Sequence, residues 1–282
     1  MMKLNIFVNE KKQMKTNLNI LVTNDDGFQS KGIDVLIRVM RQFGSVTAIA
    51  PKFPQSGMSM AVSLGGKPVA VETLPSEETV YYASLDGTPA SCVKFAIDEV
   101  CQSKPDVVVS GINHGYNVAS AANYSGTLGA AEEAALNDVP GIGVSLGDMD
   151  PDADFSAVEK FFPDIFIKLL ERWPKRKGVY YNVNFPNLKA EAIKGIRVGH
   201  QGMGHWEGQF EPWTGDDLHP KGGECIYVIK GHFVDDTPAE DDFADHHIIR
   251  DGYISITAHN VNNTDFEEIK RIGCLNADFL PS

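Results

Sequence analysis

The chain is short of cysteine, of long apolar runs and of basic clusters. Its four cysteines, Cys92, Cys101, Cys225 and Cys274, show no CxxC spacing and are too sparse for a disulfide scaffold, so buried reduced thiols are expected. No run approaches the roughly 18 apolar residues of a membrane-spanning helix. The stretch Leu4 to Val8 is brief for a signal-peptide core and gives way to Glu10-Lys11-Lys12. A soluble cytoplasmic protein without membrane contact is therefore the expectation. No Lys/Arg run offsets the excess of 38 acidic over 25 basic residues, a formal charge of −13. That charge repels a long nucleic acid, whereas a small anion can still be drawn in by a bound divalent cation. The GxGxxG fingerprint is missing after the first strand, which argues against a dinucleotide oxidoreductase. The DxDx[TV] loop of haloacid-dehalogenase phosphatases is missing too, which argues against a covalent aspartyl-phosphate enzyme.

What is present is an alternation of strand-length apolar runs with helical periodicities. Residues 18–23 form such a run and end in the turn Asn24-Asp25-Asp26-Gly27. Ile33, Leu36, Ile37, Met40 and Phe43 then recur at helical spacing as far as Gly44. Residues 45–50 predict a second strand ended by Pro51, ahead of a loop holding Gln55-Ser56-Gly57. Residues 59–85 alternate as antiparallel strands do, which fits an inserted hairpin or an extension of the sheet. Thr88-Pro89 opens a helix whose apolar face is Cys92, Val93, Ala96, Ile97 and Val100. Asp106 to Ser110 is a third strand and runs into Gly111-Ile112-Asn113. An alanine-rich helix over 126–135, a strand over 141–146, a helix over 153–173 that Pro163 should end or kink, and a strand over 178–185 follow. From His200 onward apolar runs become isolated, and 225–229 and 253–257 are the clear strands. Residues 200–250 read as an extended arm or hairpin suited to packing on another subunit. The pattern predicts an α/β fold, a Rossmann-like and mostly parallel sheet flanked by helices, with a C-terminal extended arm. Its expected divisions are a disordered arm over 1–13, with Met14 as a candidate natural start, a catalytic domain over 14–199, and an oligomerisation extension over 200–282 that returns to the core.

In an open parallel sheet the loops leaving the carboxyl ends of neighbouring strands meet in one crevice, so these polar turns can pool their ligands. Adjacent Asp25 and Asp26 repel each other if both are buried and ionised, and a hard divalent cation resolves the conflict. Turn chemistry alone would also account for them. Ser56 adds a hydroxyl and Asn113 an amide oxygen, an all-oxygen set suited to Mg²⁺, Mn²⁺ or Ca²⁺ and poorly suited to a thiophilic ion. Ser125-Gly126-Thr127 offers hydroxyls and backbone N–H groups at a helix opening, where a phosphate binds, or else a plain N-cap. His114 neighbours a candidate ligand and reads as a loop histidine. His246 and His247, taken as strand neighbours, point to opposite faces and do not ligate together. Trp206 and Trp213 fit subunit packing better than base stacking.

Taken jointly, the segments Ile20 to Gly27, Ala50 to Gly57, Asp86 to Pro89, Pro105 to Asn113 with Gly115 and Asn117, Tyr124 to Thr127 and Asn182 to Pro186 resemble, in order, the signatures of the SurE survival proteins. The resemblance implies a metal-dependent phosphatase of nucleoside 5′- and 3′-monophosphates, with short polyphosphate as a further substrate of some members. It implies one divalent metal ion, Mn²⁺ or Mg²⁺, on Asp25, Asp26, Ser56 and Asn113, and a phosphate near Asn117, Ser125, Gly126 and Thr127. Asp25, Asp26 and Asn117 would carry catalysis, one of the two carboxylates orienting or deprotonating the attacking water. It also implies a homodimer or homotetramer with exchanged C-terminal extensions. The chain departs from the family at Ser91, where aspartate is common. A non-catalytic nucleotide or metal sensor on the same scaffold is the alternative, because fold does not dictate function.

Overall fold

The computed structural model describes residues 17–273 and 275, apart from 64, 65, 67, 77–79, 209 and 216. The expected N-terminal arm, the start at Met14 and Cys274 lie outside the described residues. In chain order the elements are β1 (Leu18–Thr23), α1 (Lys31–Met40), β2 (Gly44–Pro51), β3 (Val71–Thr73), β4 (Val80–Leu85), α2 (Pro89–Phe95), β5 (Val107–His114), α3 (Gly126–Leu136), β6 (Gly141–Leu146), α4 (Ser156–Glu171) and β7 (Val179–Phe185). They continue with β8 (Ile196–Gly199), β9 (Gly204–Glu207), β10 (Phe210–Pro212), β11 (Tyr227–Ile229), β12 (His232–Asp235), α5 (Asp245–Arg250), β13 (Ile254–Asn260) and α6 (Phe266–Ile272).

Apolar strands buried on both faces dictate the centre. Ile20 and Val22 face one side of the sheet with α1 and α4, while Leu21 faces the other side with Cys92, Val93, Ala130 and Ala134 of α2 and α3. The nine strands run β3-β4-β2-β1-β5-β6-β7-β13-β8. Neighbours from β4 to β7 are parallel, and β3 and β13 are antiparallel to β4 and β7. Chain order reverses between β1 and β5, and that switch point is where the loops open a crevice.

The expected cap of α2 is present: Thr88 Oγ1 accepts from Ser91 N, with Pro89 in the first turn, and at the start of α1 Ser30 likewise accepts from Ile33 N. The departure at Ser91 has a local role: its hydroxyl accepts from Ser63 N at 2.9 Å and meets Thr88 Oγ1 at 2.8 Å. The 59–85 region is an extension of the sheet, with β4 in the parallel register and β3 pairing on its outer edge.

Three expectations change. α4 runs unbroken through Pro163, because fully buried Phe162 and Phe166 dock it on the sheet and outweigh the missing N–H. Beyond residue 200 there are more strands than apolar runs suggest. β9 pairs with β12 and β10 with β11, forming one bent hairpin, after which the chain returns as β13 between β7 and β8. The free thiols are buried at Cys92 and half-buried at Cys101, but exposed at Cys225, near the hairpin tip. Among the described residues no helix is long and apolar enough to cross a membrane.

Candidate active site

The turn after β1 is built to present its acids. Asn24 Nδ2 donates to the Gly27 carbonyl at 2.9 Å and to Ser30 Oγ at 2.8 Å, tying the turn to the cap of α1. The Asp25 carbonyl accepts from Gln55 N at 2.7 Å, which draws the Ser56 loop after β2 alongside. Asp25 is buried and Asp26 half-buried. The Asp25 carboxylate accepts from Thr127 Oγ1 at 2.5 Å and is met by Thr127 N–H, at the first turn of α3. Asp26 Oδ2 accepts from His114 N at 3.2 Å. Burial first, and Asp26 second, push Asp25 up from 3.8 to about 6. Burial likewise pushes Asp26 up to about 6 against the His114 N–H.

Asn113 arrives through an irregularity in β5. The register with β6 shifts between Ser110 and Asn113, where the Gly111–Ile112 peptide is cis and Gly111 has φ +134°. A Cβ at Gly111 would come within 2.3 Å of the Val144 carbonyl oxygen, so glycine is required there. A strand irregularity of this kind re-aims the side chain that follows it. Asn113 Nδ2 donates to Gly115 O at 2.8 Å, which turns Oδ1 towards Thr127 Oγ1 at 3.4 Å. One threonine hydroxyl thus lies within reach of oxygens from both Asp25 and Asn113. Gly126 permits the approach: a Cβ there would stand 2.9 Å from Asp25 Cβ and 3.0 Å from Oδ2.

Asp26, Ser56 and His114 line one open cleft of about 670 Å³ together with Lys31, Lys52 and Asp152. Ser56 is exposed on its rim. The donor set fits a hard divalent cation. Two neighbouring carboxylates carry a repulsion that a cation would relieve, an amide oxygen is fixed by its own nitrogen's bond, and no sulfur or ring nitrogen stands among them.

Ser125, Gly126 and Thr127 are spent differently from a bare phosphate cradle. Ser125 Oγ accepts from Leu128 N at 3.0 Å as an N-cap, and Thr127 serves Asp25. Asn117 is buried in an amide network. Its N–H donates to Asn184 Oδ1 at 2.9 Å, its Nδ2 to Ser145 Oγ at 2.9 Å, and its carbonyl accepts from Asn182 Nδ2 at 2.7 Å. Sequence reasoning gave Asn182 and Asn184 no role of their own. Their signal was two amides at an i, i+2 spacing in an otherwise apolar strand. Asp245, also missed, is fully buried and accepts from Ala119 N at 3.0 Å and from Gly202 N at 3.0 Å, joining the loop after Asn117 to the root of the hairpin.

His114 ends β5, with Nδ1 2.9 Å from the Asp150 carbonyl and its ring edge-on to Phe155. Trp206 is half exposed on β9 against Phe233, and Trp213 follows β10. The expectation that His246 and His247 face apart on a strand is overturned. They lie on α5, where successive residues are only about 100° apart, and both reach Asp235.

Comparison with known proteins places the chain in a family. The family model described as Survival protein SurE matches residues 20–208. A protein named 5′-nucleotidase SurE from Christiangramia forsetii is 39% identical over 265 residues, 93% of this chain and 96% of that protein. One of the same name from Bacteroides fragilis is 38% identical over 252 residues, 88% and 93% of the two chains. The crystal structure of the SurE protein from Aquifex aeolicus superposes with a TM-score of 0.74 at 30% identity, covering 92% of this chain and 99% of that one.

Proposed function

The chain belongs to the SurE survival protein family, and on that premise we propose that it is a nucleotidase: a divalent-metal-dependent phosphomonoesterase acting on nucleoside 5′- and 3′-monophosphates, with short polyphosphate as a further substrate. The observation that carries this reading is that Thr127 brings buried Asp25 together with the Asn113 oxygen, beside half-buried Asp26, which lines an open cleft. Asp25, Asp26, Ser56 and Asn113 would hold the cation, a hard ion that such oxygens accommodate, with Mn²⁺ or Mg²⁺ the choice the family resemblance implies. When bound, it supplies Lewis acidity and positive charge to the phosphoryl oxygens.

The chain's own residues do the rest. Thr127 holds the Asp25 carboxylate in place, fixing one donor before substrate arrives. Asp26 lines the cleft, and one of the two carboxylates would orient the attacking water and take its proton. Gly126 N–H, at the first turn of α3, and the Asn117 amide would face the charge that develops on the phosphoryl group. Lys31 is pinned by the Asp152 and Ala153 carbonyls at 2.8 and 2.9 Å, and with Lys52 it lends the cleft positive charge that an anionic substrate needs in so acidic a protein. The hairpin exposes Phe210, Tyr227 and Ile229, an apolar surface that suits association into a homodimer or homotetramer.

The test is phosphate release from a panel of 5′- and 3′-nucleoside monophosphates and short polyphosphate, with Mn²⁺ or Mg²⁺ and an EDTA control, in wild type and Asp25→Asn. Cation-dependent turnover that disappears in a folded Asp25→Asn variant supports the reading. Nucleotide binding without turnover under every ion would point to a sensor instead.

A further inference from the structure

The root of the hairpin holds a second polar cluster that shares no residue with the cleft. Asp235 ends β12, and its two carboxylate oxygens meet different histidines of α5: Oδ1 lies 2.9 Å from His246 Nε2, and Oδ2 lies 2.8 Å from His247 Nε2. The other nitrogens are engaged as well. His247 Nδ1 is 2.8 Å from the Asp241 carbonyl, and His246 Nδ1 is 3.4 Å from Asp245 Oδ1.

Every one of those four partners is an oxygen that only accepts. A neutral imidazole carries one N–H, so each ring would leave one lone pair against an acceptor. Protonating both rings would satisfy all four contacts but place two like charges in rings whose centroids are 4.3 Å apart. The surroundings register this demand. Burial alone would lower His247, yet its bonds to Asp235 and the Asp241 carbonyl outweigh burial and the nearby Arg250 and hold it above its usual value. Asp235, which burial would raise, is held below the ordinary carboxylate range by His247, the Thr237 N–H and His246.

We propose that a borderline divalent cation of the Zn²⁺ class takes the place of the two Nε2 protons, bound by His246 Nε2, His247 Nε2 and an oxygen of Asp235. One atom from each residue already falls within 4.8 Å of the others. Contraction to metal–ligand bonds of about 2.0–2.2 Å requires a modest shift of Asp235, the most exposed of the three. The acceptors at both Nδ1 atoms select the tautomer whose Nε2 lone pair faces the ion, the support a ligating histidine ordinarily has. Two nitrogens and an oxygen, with the exposed side left to water, suit zinc, cobalt or nickel better than the hard ions that an all-oxygen cleft prefers. This ion fastens β12 to α5 beside Asp245 and takes no part in the chemistry of the cleft.

The experiment uses full-length protein carrying Asp25→Asn and Asp26→Asn, stripped with EDTA, so that the cleft no longer competes. Titration with Co²⁺ should give one equivalent with the intense visible bands of a four-coordinate site, displaced by Zn²⁺. His246→Asn and Asp235→Asn, each introduced separately into that protein and checked for folding by circular dichroism, should each weaken Co²⁺ binding by at least about tenfold. His247 is avoided because its burial makes loss of fold a competing explanation. Nitrogen NMR of the imidazoles should show both Nε2 atoms losing their protons as Zn²⁺ is added. Absence of those Co²⁺ bands, Co²⁺ binding unchanged in both variants, or two imidazoles that stay doubly protonated at saturating Zn²⁺ would overturn the proposal. The double substitution in the cleft keeps this outcome separate from any failure of the nucleotidase reading.

Discussion

Asp25 and Asp26 at the end of β1 and Asp235 at the end of β12 are all acids gathered with other polar groups, but their surroundings drive them in opposite directions. In the cleft, burial raises both carboxylates to about 6, with Asp26 adding to the effect at Asp25, and the donors they receive are a hydroxyl and backbone N–H groups. At the hairpin root, two imidazoles hold Asp235 low. Among the described residues no cationic side chain is bonded to either carboxylate of the first cluster, so a hard cation is what it accommodates. In the second, ring nitrogens supply the positive charge as protons or exchange those protons for a softer ion. One chain can therefore keep two cation preferences apart by choice of donor atom alone.

The largest expected effect sets the two clusters directly against each other. Asp25→Asn should lower nucleotide turnover by at least about a hundredfold, while Asp235→Asn changes it by less than about threefold in the same phosphate-release assay. Comparable losses in both would break the separation. Next in size, Asn184→Ala removes the acceptor of Asn117 N–H and leaves buried amides unpaired, which should cost about 1–3 kcal/mol of stability in chemical denaturation. If Asn117 faces the substrate, kcat should fall with it while KM changes less.

A third measurement reads the cleft without its cation. Both acids sit near 6 when folded against 3.8 when unfolded, so the folded state binds the extra protons. The stability of EDTA-treated protein should then be fully present below about pH 4 and fall as pH rises towards 6, and Asp25→Asn should recover on the order of 2 kcal/mol at pH 7. Saturating Mn²⁺ should flatten that slope. The smallest effect has the opposite protonation logic. His247 is raised above 6.5 when folded, so its tie to Asp235 is complete below that value and is lost as pH rises through the folded pKa. Hydrogen exchange at β12 in metal-free protein, corrected for its intrinsic pH dependence, should accelerate over that interval while β1 does not.

The two regions also differ in how far their sequence discloses them. β1, α1, β5 and the caps at Thr88 and Ser125 could be read because apolar periodicity, proline and hydroxyl placement are local signals. The pooling of Asp25, Asp26 and Asn113 followed from where parallel strands end. The hairpin was only partly legible, since β9 to β12 lie largely exposed and gain their order from pairing with one another, which no single segment records. His246 and His247 were misplaced because a helix of six residues is too short to show a period. What α3 does with its first turn was hidden as well: Thr127 N–H and hydroxyl go to Asp25, a contact between positions far apart in the chain.

Asp245 grips the main chain at Ala119 and Gly202, and main-chain N–H groups are present whatever side chains stand at those positions. Substitutions at either partner that leave the backbone path alone would not undo the grip, whereas one change at Asp245 would release both ends together. Over generations the residues around these two points are thus free to drift in sequence, and selection bears on one carboxylate and on Gly202, where a Cβ would come within 2.3 Å of the His246 ring.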